Sequence, residues 1–221
     1  MPVRENVAAV RARITAACSR AGRRSDTVTL IAVSKTFTAA AVDEAIEAGI
    51  TDVGENRVQE AREKRPLVRA TPPTVWHLIG HLQSNKAKDA VRLFDVIQTV
   101  DSLALAGKIA KAAEGEGKRQ EILLQVNAGE EAQKSGAPKE GIAELAAAIQ
   151  AMPSLHLRGL MAIPPVGTAD QSRPYFRELR SLRDALGLEH LSMGMSEDFE
   201  VAIEEGATLV RVGRAIFGSR G

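Results

Sequence analysis

The stretch TVTLIAVSKTFTAA (residues 27–40) decides the fold class that the sequence predicts. It begins as an apolar, β-branched run typical of a buried strand and ends where helical spacing begins. An open doubly wound sheet needs a glycine-rich turn at this first junction, because a dinucleotide phosphate approaches the backbone there. The junction contains no glycine, so a dinucleotide-binding fold is not expected. It carries a lysine instead, Lys35, at the tip of the strand.

Strand-like runs and helical segments alternate along the whole chain. The helical segments, such as AAAVDEAIEAG (39–49) and SEDFEVAIEEG (196–206), lie between apolar runs. This alternation indicates a mainly parallel sheet, and nearly continuous apolar strands indicate a sheet covered on both faces. The eight strand-like runs are TVTLIAVSK, ITDVGEN, TVWHLIGH, DVIQTVD, EILLQVNAG, LHLRGLMAI, EHLSMGM and TLVRVGRAIFG. We therefore predict an α/β fold, a (β/α)8 TIM barrel, preceded by one extra amphipathic helix around residues 3–21.

Length, charge and composition narrow the class of protein. A chain of 221 residues can form one domain, 1–221. The formal charge is +1 and aromatic residues make up 3% of the chain. The chain therefore has neither the basic surplus nor the number of aromatic rings that nucleic-acid binding uses. Cys18 is the only cysteine, so neither an intrachain disulfide nor a thiolate metal cluster is expected. Without a secretory signal or a long apolar span, the chain is expected to be cytoplasmic, with no membrane partner.

Lys35 is the lysine that the predicted barrel places at a strand end, where reactive groups of this fold lie. The other lysines, Lys64 among them, fall in helical or loop segments and are expected to be solvated. A desolvated amine readily loses its proton and attacks carbonyl carbons. An ion-paired lysine without chemistry is the alternative, and position alone does not decide between the two.

The last two strand ends predict an anion site. Ser196 is expected to cap the following helix, with Glu197 and Asp198 in its first turn. Gly213 lets the backbone approach a ligand after the eighth strand. Loops in these positions form the recurring phosphate site of TIM barrels. On either loop alone an ordinary cap or turn glycine explains the residues, and both carboxylates must point away from an anion.

A lysine that faces a phosphate site across a barrel mouth suits two ligand classes. One is a sugar phosphate handled by a Schiff-base aldolase. The other is pyridoxal 5′-phosphate (PLP), whose aldehyde and phosphate lie at opposite ends of a ring.

Seven motifs of the chain closely resemble the pyridoxal phosphate homeostasis proteins of the YggS/PROSC type. They run in order from about residue 30 to residue 218 and are AVSKTF, GENRVQE, WHLIGHLQSNK, VNAGEEAQKSG, LRGLMAI, SMGMSEDFEVAI and VRVGRAIFG. The resemblance implies a single PLP-binding barrel, similar to the N-terminal domain of alanine racemase.

The same resemblance implies a role for particular residues. Lys35 would hold PLP as an internal aldimine, and Ser196, Gly213 and Arg214 would receive its phosphate. Arg211 would approach the pyridine nitrogen and keep it unprotonated. The remaining implied contacts, at pocket-lining motif positions and against the ring faces, are Asn56, His77, Met161 and Met193.

Several of these residues also have plainer interpretations. Asn56 could belong to a helix cap, His77 could be a satisfied core histidine, and both methionines could fill the core. Arg214 departs from the family pattern, which commonly has threonine there; a hydroxyl contact to phosphate would be lost, although a guanidinium can substitute. The affinity for PLP is what this departure puts in question.

Lys134, in the family stretch EEAQKSG, is a further lysine on the loop after the fifth strand. It is either a solvated loop residue or a contact to PLP, at the main site or at a second, looser one.

Two functions from different classes follow from the resemblance. The first is a non-catalytic PLP carrier, expected to be monomeric, that serves PLP (vitamin B6) homeostasis and supplies PLP-dependent apoenzymes. The second is a weak PLP-dependent amino-acid racemase. A racemase needs a second base opposite the lysine, and the only tyrosine, Tyr175, lies in a helical segment. The second, β-rich domain of such enzymes is not expected here, which favours the carrier.

Overall fold

Eight parallel strands close into a barrel in sequence order, with β1 paired to both β2 and β8. The structure, a computed structural model, describes residues 2–72, 74–129 and 135–218. The strands are β1 (Thr29–Val33), β2 (Asp52–Glu55), β3 (Val75–Leu78), β4 (Val96–Val100), β5 (Gln120–Val126), β6 (Leu155–Ala162), β7 (His190–Ser192) and β8 (Leu209–Val212). The predicted (β/α)8 TIM barrel is confirmed.

Helices follow the strands and cover the outside of the barrel. They are α1 (Val3–Arg20), α2 (Ala39–Glu47), α3 (Val58–Lys64), α4 (Ala87–Leu93), α5 (Leu103–Gly115), α6 (Ile142–Gln150), α7 (Ala169–Ala185), α8 (Phe199–Glu204) and α9 (Arg214–Phe217). The extra N-terminal helix is therefore present as α1, which packs against α8 and α9. None of the described helices is both long and apolar enough to cross a membrane.

The end of the last predicted strand run is helical. The run TLVRVGRAIFG contains β8, but the strand stops at Val212 and its RAIF portion forms the short helix α9. Gly213 separates the two elements and takes the N-cap position of α9. RAIF continues the apolar character of the run because Ile216, although helical, is fully buried.

The core has an outer and an inner part. The larger part fills the space between barrel and helices, and Val210 and Val212 of β8 belong to it. The smaller part lies inside the barrel and consists of Ile31, Leu123, Met161 and Leu209. Because side chains alternate along a strand, Arg211 points to the same side as Leu209. That alternation carries a guanidinium into the barrel interior.

Candidate functional site

A cavity of about 540 Å³ opens at the carboxyl ends of the barrel strands. Its walls come from the ends of β1, β2 and β3 and from the loops that follow β6, β7 and β8. The residues predicted from the sequence that line it are Lys35, Asn56, Ser196, Arg211, Gly213 and Arg214. The structure thus brings the lysine and both predicted anion-binding loops to one space.

Lys35 stands on a tight turn immediately beyond β1. It is half-buried, and the N–H of Phe37 closes the turn onto the carbonyl oxygen of Ser34 at 3.0 Å. Thr36 has a φ of 70°, a left-handed conformation that is strained for a β-branched residue. The ring of Phe37 stacks on Phe217 of α9, with centroids 4.9 Å apart. The turn is therefore held on more than one side.

A buried ionic cluster lies directly behind this turn, and Lys64 is at its centre. The expectation that Lys64 is solvated is wrong: it is only 7% exposed. Its Nζ lies 2.6 Å from Oε1 of Glu55 and 3.0 Å from Oε1 of Glu60. Burial raises the pKa of Glu55, although hydrogen bonds from Lys64 and Ser34 oppose the increase. No side-chain or main-chain partner meets Oε2 of Glu55 in the described part of the chain.

The loop after β7 differs from its prediction. Helix α8 begins at Phe199 with Asp198 at the N-cap, so Ser196 does not cap it and Glu197 precedes the first turn. Asp198 Oδ1 accepts the Met195 N–H at 2.7 Å. Two extra residues of turn therefore separate Ser196 from the helix, and they leave its side chain on the cavity wall.

The loop after β8 approaches β1 closely. A Cβ atom at Gly213 would lie 3.2 Å from the carbonyl oxygen of Val33, which leaves little room for a side chain. The next residue, Arg214, pairs with Glu197 across the cavity rim at 2.9 Å, and both side chains are mostly exposed. The guanidinium and one of the two carboxylates near the predicted anion site thus neutralise each other.

Arg211 enters the cavity from the barrel interior, where it is 4% exposed. Its NH1 donates to Ser192 Oγ at 2.7 Å, and its NH2 donates to the Ala162 carbonyl at 3.0 Å. Burial lowers the pKa of Arg211 to about 10, with the charge of Asp198 acting in the opposite direction. The guanidinium therefore remains a cation at neutral pH.

A chain of hydrogen bonds continues from Ser192 through the barrel. Ser192 Oγ donates to Gln98 Oε1 at 2.6 Å, which turns the Gln98 amide nitrogen toward Nδ1 of His77, 3.0 Å away. Nδ1 is then an acceptor, so the proton of a neutral His77 ring lies on Nε2, 2.9 Å from Oδ1 of Asp52. These bonds hold Ser192 and, through it, Arg211.

Three of the residues implied by the family resemblance do not line the cavity. His77 has both ring nitrogens engaged inside the barrel, as the core-histidine alternative expects. Met161 belongs to the interior cluster and Met193 to the core outside the barrel, and both side chains are fully buried. Neither methionine is among the residues that line the cavity, and a pattern of apolar residues does not show which side of a buried strand each faces.

The structure places Asn56 but does not describe Lys134. Asn56 lies on the cavity wall and is not the cap of α3, because Arg57 occupies that position. The possible PLP contact of Lys134 lies outside the described residues.

Sequence reasoning missed two parts of the site. One is the segment after β6, residues 163–167, whose IPPVG sequence forms a largely apolar wall of the cavity. Its pair of prolines after an apolar run was a usable loop signal. The other is the interior pair Gln98 and Ser192, and the single glutamine within the run DVIQTVD was the signal there, because a buried polar group needs a partner.

Comparison with known proteins agrees with the fold. The alanine racemase N-terminal domain family matches residues 6–221. An alanine racemase from Streptomyces coelicolor A3(2) superposes with a TM-score of 0.66 at 21% identity, with 97% of this chain and 59% of that chain covered. At this identity the likeness shows the barrel fold alone.

Two solved structures are more similar. The crystal structure of an unknown protein from Bifidobacterium adolescentis has a TM-score of 0.92 at 37% identity and covers 98% of this chain and 94% of its own. PipY of Synechococcus elongatus, solved with PLP bound, has a TM-score of 0.86 at 37% identity and covers 98% of this chain and 100% of its own.

Relatives in bacteria are similar over nearly their full length. The pyridoxal phosphate homeostasis protein of Pseudomonas aeruginosa is 46% identical over 221 residues, which span 99% of this chain and 96% of that protein. The protein of the same name from Aquifex aeolicus is 42% identical, spanning 98% of this chain and 97% of that protein. With such identity along the whole barrel, the chain belongs to the pyridoxal phosphate homeostasis protein family.

Proposed function

We propose that this protein binds PLP in the barrel-mouth cavity, as a Schiff base with Lys35, and serves intracellular PLP (vitamin B6) homeostasis without catalytic turnover. The observation that carries the proposal is the single cavity that joins Lys35 to Ser196 and Gly213. The PLP-bound structure of PipY and the names of the bacterial relatives favour PLP over a sugar phosphate.

The cavity fits PLP in size and in the chemistry of its walls. Its volume of about 540 Å³ lies within the range of about 300–1,000 Å³ that is typical of small-molecule sites. A primary amine lies on the β1 side, hydrogen-bond donors lie on the β7 and β8 loops, and apolar residues 163–166 line the wall between them. An aldehyde, a phosphate and a flat ring each find a suitable surface.

When bound, PLP would supply an aldehyde, an electrophile that condenses with a primary amine and releases water. Lys35 would supply that amine. The turn that follows β1 fixes where its side chain starts, through the contacts of Ser34 and Phe37. Lys35 therefore needs little rearrangement to reach an aldehyde in the cavity.

The phosphate group would be bound on the opposite wall. The Ser196 hydroxyl, the backbone N–H groups of Gly213 and Arg214, and the Arg214 guanidinium are suitable donors. Of the two nearby acids, Glu197 is paired with Arg214, and Asp198 accepts a backbone N–H within its own loop. Their charges are thus partly compensated, which supports an anion site in spite of them.

Arg211 brings a cation to the cavity from the barrel interior. Placed beside the pyridine nitrogen of PLP, as the family resemblance implies, it would disfavour protonation of that nitrogen and weaken the ring as an electron sink. A racemase also needs a second base, and Tyr175 lies on α7 and is not among the residues that line the cavity. We infer that residues 1–221 act as one PLP-binding domain, monomeric and cytoplasmic, that releases PLP to apoenzymes.

Borohydride reduction of the PLP-loaded protein, followed by peptide mass analysis, tests the site. We expect a phosphopyridoxyl adduct on Lys35 that is lost in Lys35→Ala and kept in Lys108→Ala, a matched change of an exposed lysine. An adduct chiefly on another lysine would overturn the assignment. A minor adduct on Lys134 would mark the second, looser site.

The same preparation tests the absence of turnover. Purified protein is incubated with D- and L-alanine and D- and L-serine, and the enantiomers are measured over time. We expect no conversion above that of free PLP. Sustained conversion that requires Lys35 would establish the racemase instead, and protein that purifies without PLP and without the visible absorbance of a PLP Schiff base would favour the aldolase.

A further inference from the structure

We propose that Lys64 is a positioning residue for Lys35 and holds the backbone on both sides of it through Glu55 and Glu60. This inference rests on the proposed function, in which Lys35 bonds covalently to PLP. It assigns a role to a buried cation on α3 that does not line the cavity.

Lys64 binds the residue before Lys35. Its Nζ lies 2.7 Å from the carbonyl oxygen of Ser34 and 2.6 Å from Oε1 of Glu55. The same Glu55 oxygen accepts the hydroxyl of Ser34 at 2.6 Å. Main chain and side chain of Ser34 are therefore both tied to the Lys64–Glu55 pair, in a region where Ser34 and Glu55 are fully buried.

Lys64 also acts on the residue after Lys35, by way of Glu60. Oε1 of Glu60 lies 3.0 Å from Nζ of Lys64 and accepts the backbone N–H of Thr36. Thr36 holds a left-handed φ of 70°, which a β-branched residue keeps only where its surroundings enforce it. The Thr36–Glu60 bond supplies that enforcement, and the ammonium of Lys64 fixes the carboxylate that makes it.

One ammonium thus secures both chain neighbours of the proposed PLP lysine. The arrangement is a poor way to gain stability, because a buried ion pair gives back in desolvation much of what its attraction supplies. Glu55 adds to that cost, since burial raises its pKa and its Oε2 atom meets no protein partner among the residues that the structure describes. The burial of these charges is thus weak evidence of a stabilising role, whereas their contacts to Ser34 and Thr36 are suited to positioning.

The first test uses PLP-free protein and follows the turn itself. Lys64→Met removes the ammonium and retains most of the chain length, and Lys88→Met makes the same change on the exposed side of α4. Hydrogen exchange measured by mass spectrometry reports on the peptide that contains Thr36. We expect amide exchange there to become about tenfold faster or more in Lys64→Met, with no change in Lys88→Met and no comparable change in peptides from β4 or β5.

The second test measures the reactivity of the Lys35 amine, also without PLP. Each protein is acetylated in limiting reagent over a range of pH, and modification of Lys35 is read by peptide mass. In Lys64→Met we expect the midpoint of the Lys35 profile to move to higher pH, because a nearby positive charge is lost while Glu60 keeps its own. The midpoint reports whether the charges of this cluster act on the Lys35 amine, and the exchange at Thr36 reports whether Lys64 fixes the turn.

Glu60→Ala is a second variant, chosen because Glu60 is partly exposed and its loss is milder for folding. It removes the tie to Thr36 while Lys64 keeps Glu55. We expect faster exchange at Thr36 here too, but with the Lys35 midpoint moved to lower pH, opposite to Lys64→Met. Unchanged exchange at Thr36 in both variants would overturn the proposal.

PLP titration links the turn to the cofactor. We expect Lys64→Met to bind PLP about tenfold more weakly, and Lys88→Met to bind it like the wild-type protein. If the wild-type protein forms the Lys35 adduct and Lys64→Met matches it in affinity and in exchange, the positioning role is wrong while the proposed function stands. If the wild-type protein forms no such adduct, the proposed function fails, whatever the exchange data show.

Discussion

The NH1 nitrogen of Arg211 lies 2.7 Å from the hydroxyl oxygen of Ser192, which donates its own proton to Gln98 across the barrel. Ser192 is thus an acceptor on one side and a donor on the other. This pairing aims the cation on β8 at the cavity, and the hydrogen bonds to His77 and Asp52 keep Gln98 from turning over.

Ser192→Ala is expected to weaken both the fold and PLP binding. The buried Oε1 of Gln98 loses its donor, which costs about 1–3 kcal/mol of unfolding free energy, and Arg211 keeps its bond to the Ala162 carbonyl but loses its side-chain support. Urea unfolding and PLP titration measure the two effects. Ser181→Ala, at an exposed hydroxyl on α7, is the control.

The outcome for PLP distinguishes two explanations. If Ser192 only fills space, affinity stays at the wild-type value once the loss of stability is allowed for. If it positions Arg211, affinity falls by a factor of about ten for each 1.4 kcal/mol of binding free energy lost.

Glu197→Gln is expected to tighten PLP binding. The Glu197 carboxylate stands at the cavity rim and pairs with Arg214 at 2.9 Å, so its removal leaves the guanidinium available to a phosphate and takes away a repelling charge. We expect an increase in affinity of a few-fold at low salt that shrinks at high salt, because exposed charges are screened within about 10 Å at 0.1 M.

Dissociation constants measured at two salt concentrations check this effect, with Glu47→Gln on α2 as a remote control of equal charge change. An affinity that is unchanged at low salt would mean that Arg214 does not face the phosphate. The guanidinium would then not replace the hydroxyl contact to phosphate that the family resemblance implies at this position.

The sequence predicted the barrel and much of the cavity because both depend on features that are local in the chain. Runs of β-branched residues mark strands wherever they occur, and a residue just past such a run lies at the carboxyl end of a parallel barrel. Lys35 and Gly213 could be placed on that basis alone. Both line the cavity.

What escaped prediction depends on which way a side chain points. Lys64 looks like any helical lysine in sequence, and only packing of α3 against β2 shows that it is buried. Met193 ends an apolar run that is covered on both faces, where no alternation tells inside from outside. The prediction that Ser196 caps α8 was wrong because Asp198, two residues later, occupies the N-cap position.

Substitution by alanine should lower the stability of the protein at Gly80 and raise it at Gly107. A Cβ at Gly80 would lie 2.2 Å from the carbonyl oxygen of Asn56, so in Gly80→Ala the loops that follow β2 and β3 must move apart. Gly107 lies within α5, where an added Cβ would meet no described atom within 4 Å apart from its chain neighbours and the nearby backbone of its own helix. Alanine at this helical position is expected to stabilise the protein by about 0.5–1 kcal/mol.

Thermal unfolding of the two variants checks the pair. Gly80→Ala is also expected to weaken PLP binding, because Asn56 lies on the cavity wall, whereas Gly107→Ala should leave affinity unchanged. Equal stability of the two variants would contradict this prediction and show that the loops after β2 and β3 move apart at little energetic cost.

The ion pairs between α7, α8 and α1 predict how stability depends on pH. Hydrogen bonds from Arg20 and Arg173 hold the pKa of Glu204 below its ordinary value. For Glu205, burial acts to raise the pKa, but Arg173 and Arg177 outweigh it and the pKa is lowered. Both carboxylates therefore release protons more readily in the folded protein than in the unfolded chain.

The sign of the effect follows from that difference. Where the unfolded chain binds more protons than the folded protein, stability rises with pH. The contribution of Glu204 and Glu205 is thus present above the unfolded pKa of about 4.3, and it is lost as the pH falls through their folded pKa values. The arginine partners are partly exposed, with 28% of the Arg173 and 65% of the Arg177 side chain accessible, although Glu205 is only 7% exposed. Solvent therefore screens these pairs in part, and the effect is expected to be modest.

Glu204→Gln isolates this contribution. At pH 6 to 7 the variant should melt below the wild-type protein, and the gap should close as the pH falls through the lowered folded pKa of Glu204, because protonation then removes the same charge from the wild type. Glu44→Gln, at an exposed position on α2, should track the wild type throughout. A gap of the same size throughout the acid range, down to the onset of acid unfolding, would mean that Glu204 contributes through packing against Arg20 and Arg173, since only an ionic contribution disappears with the charge.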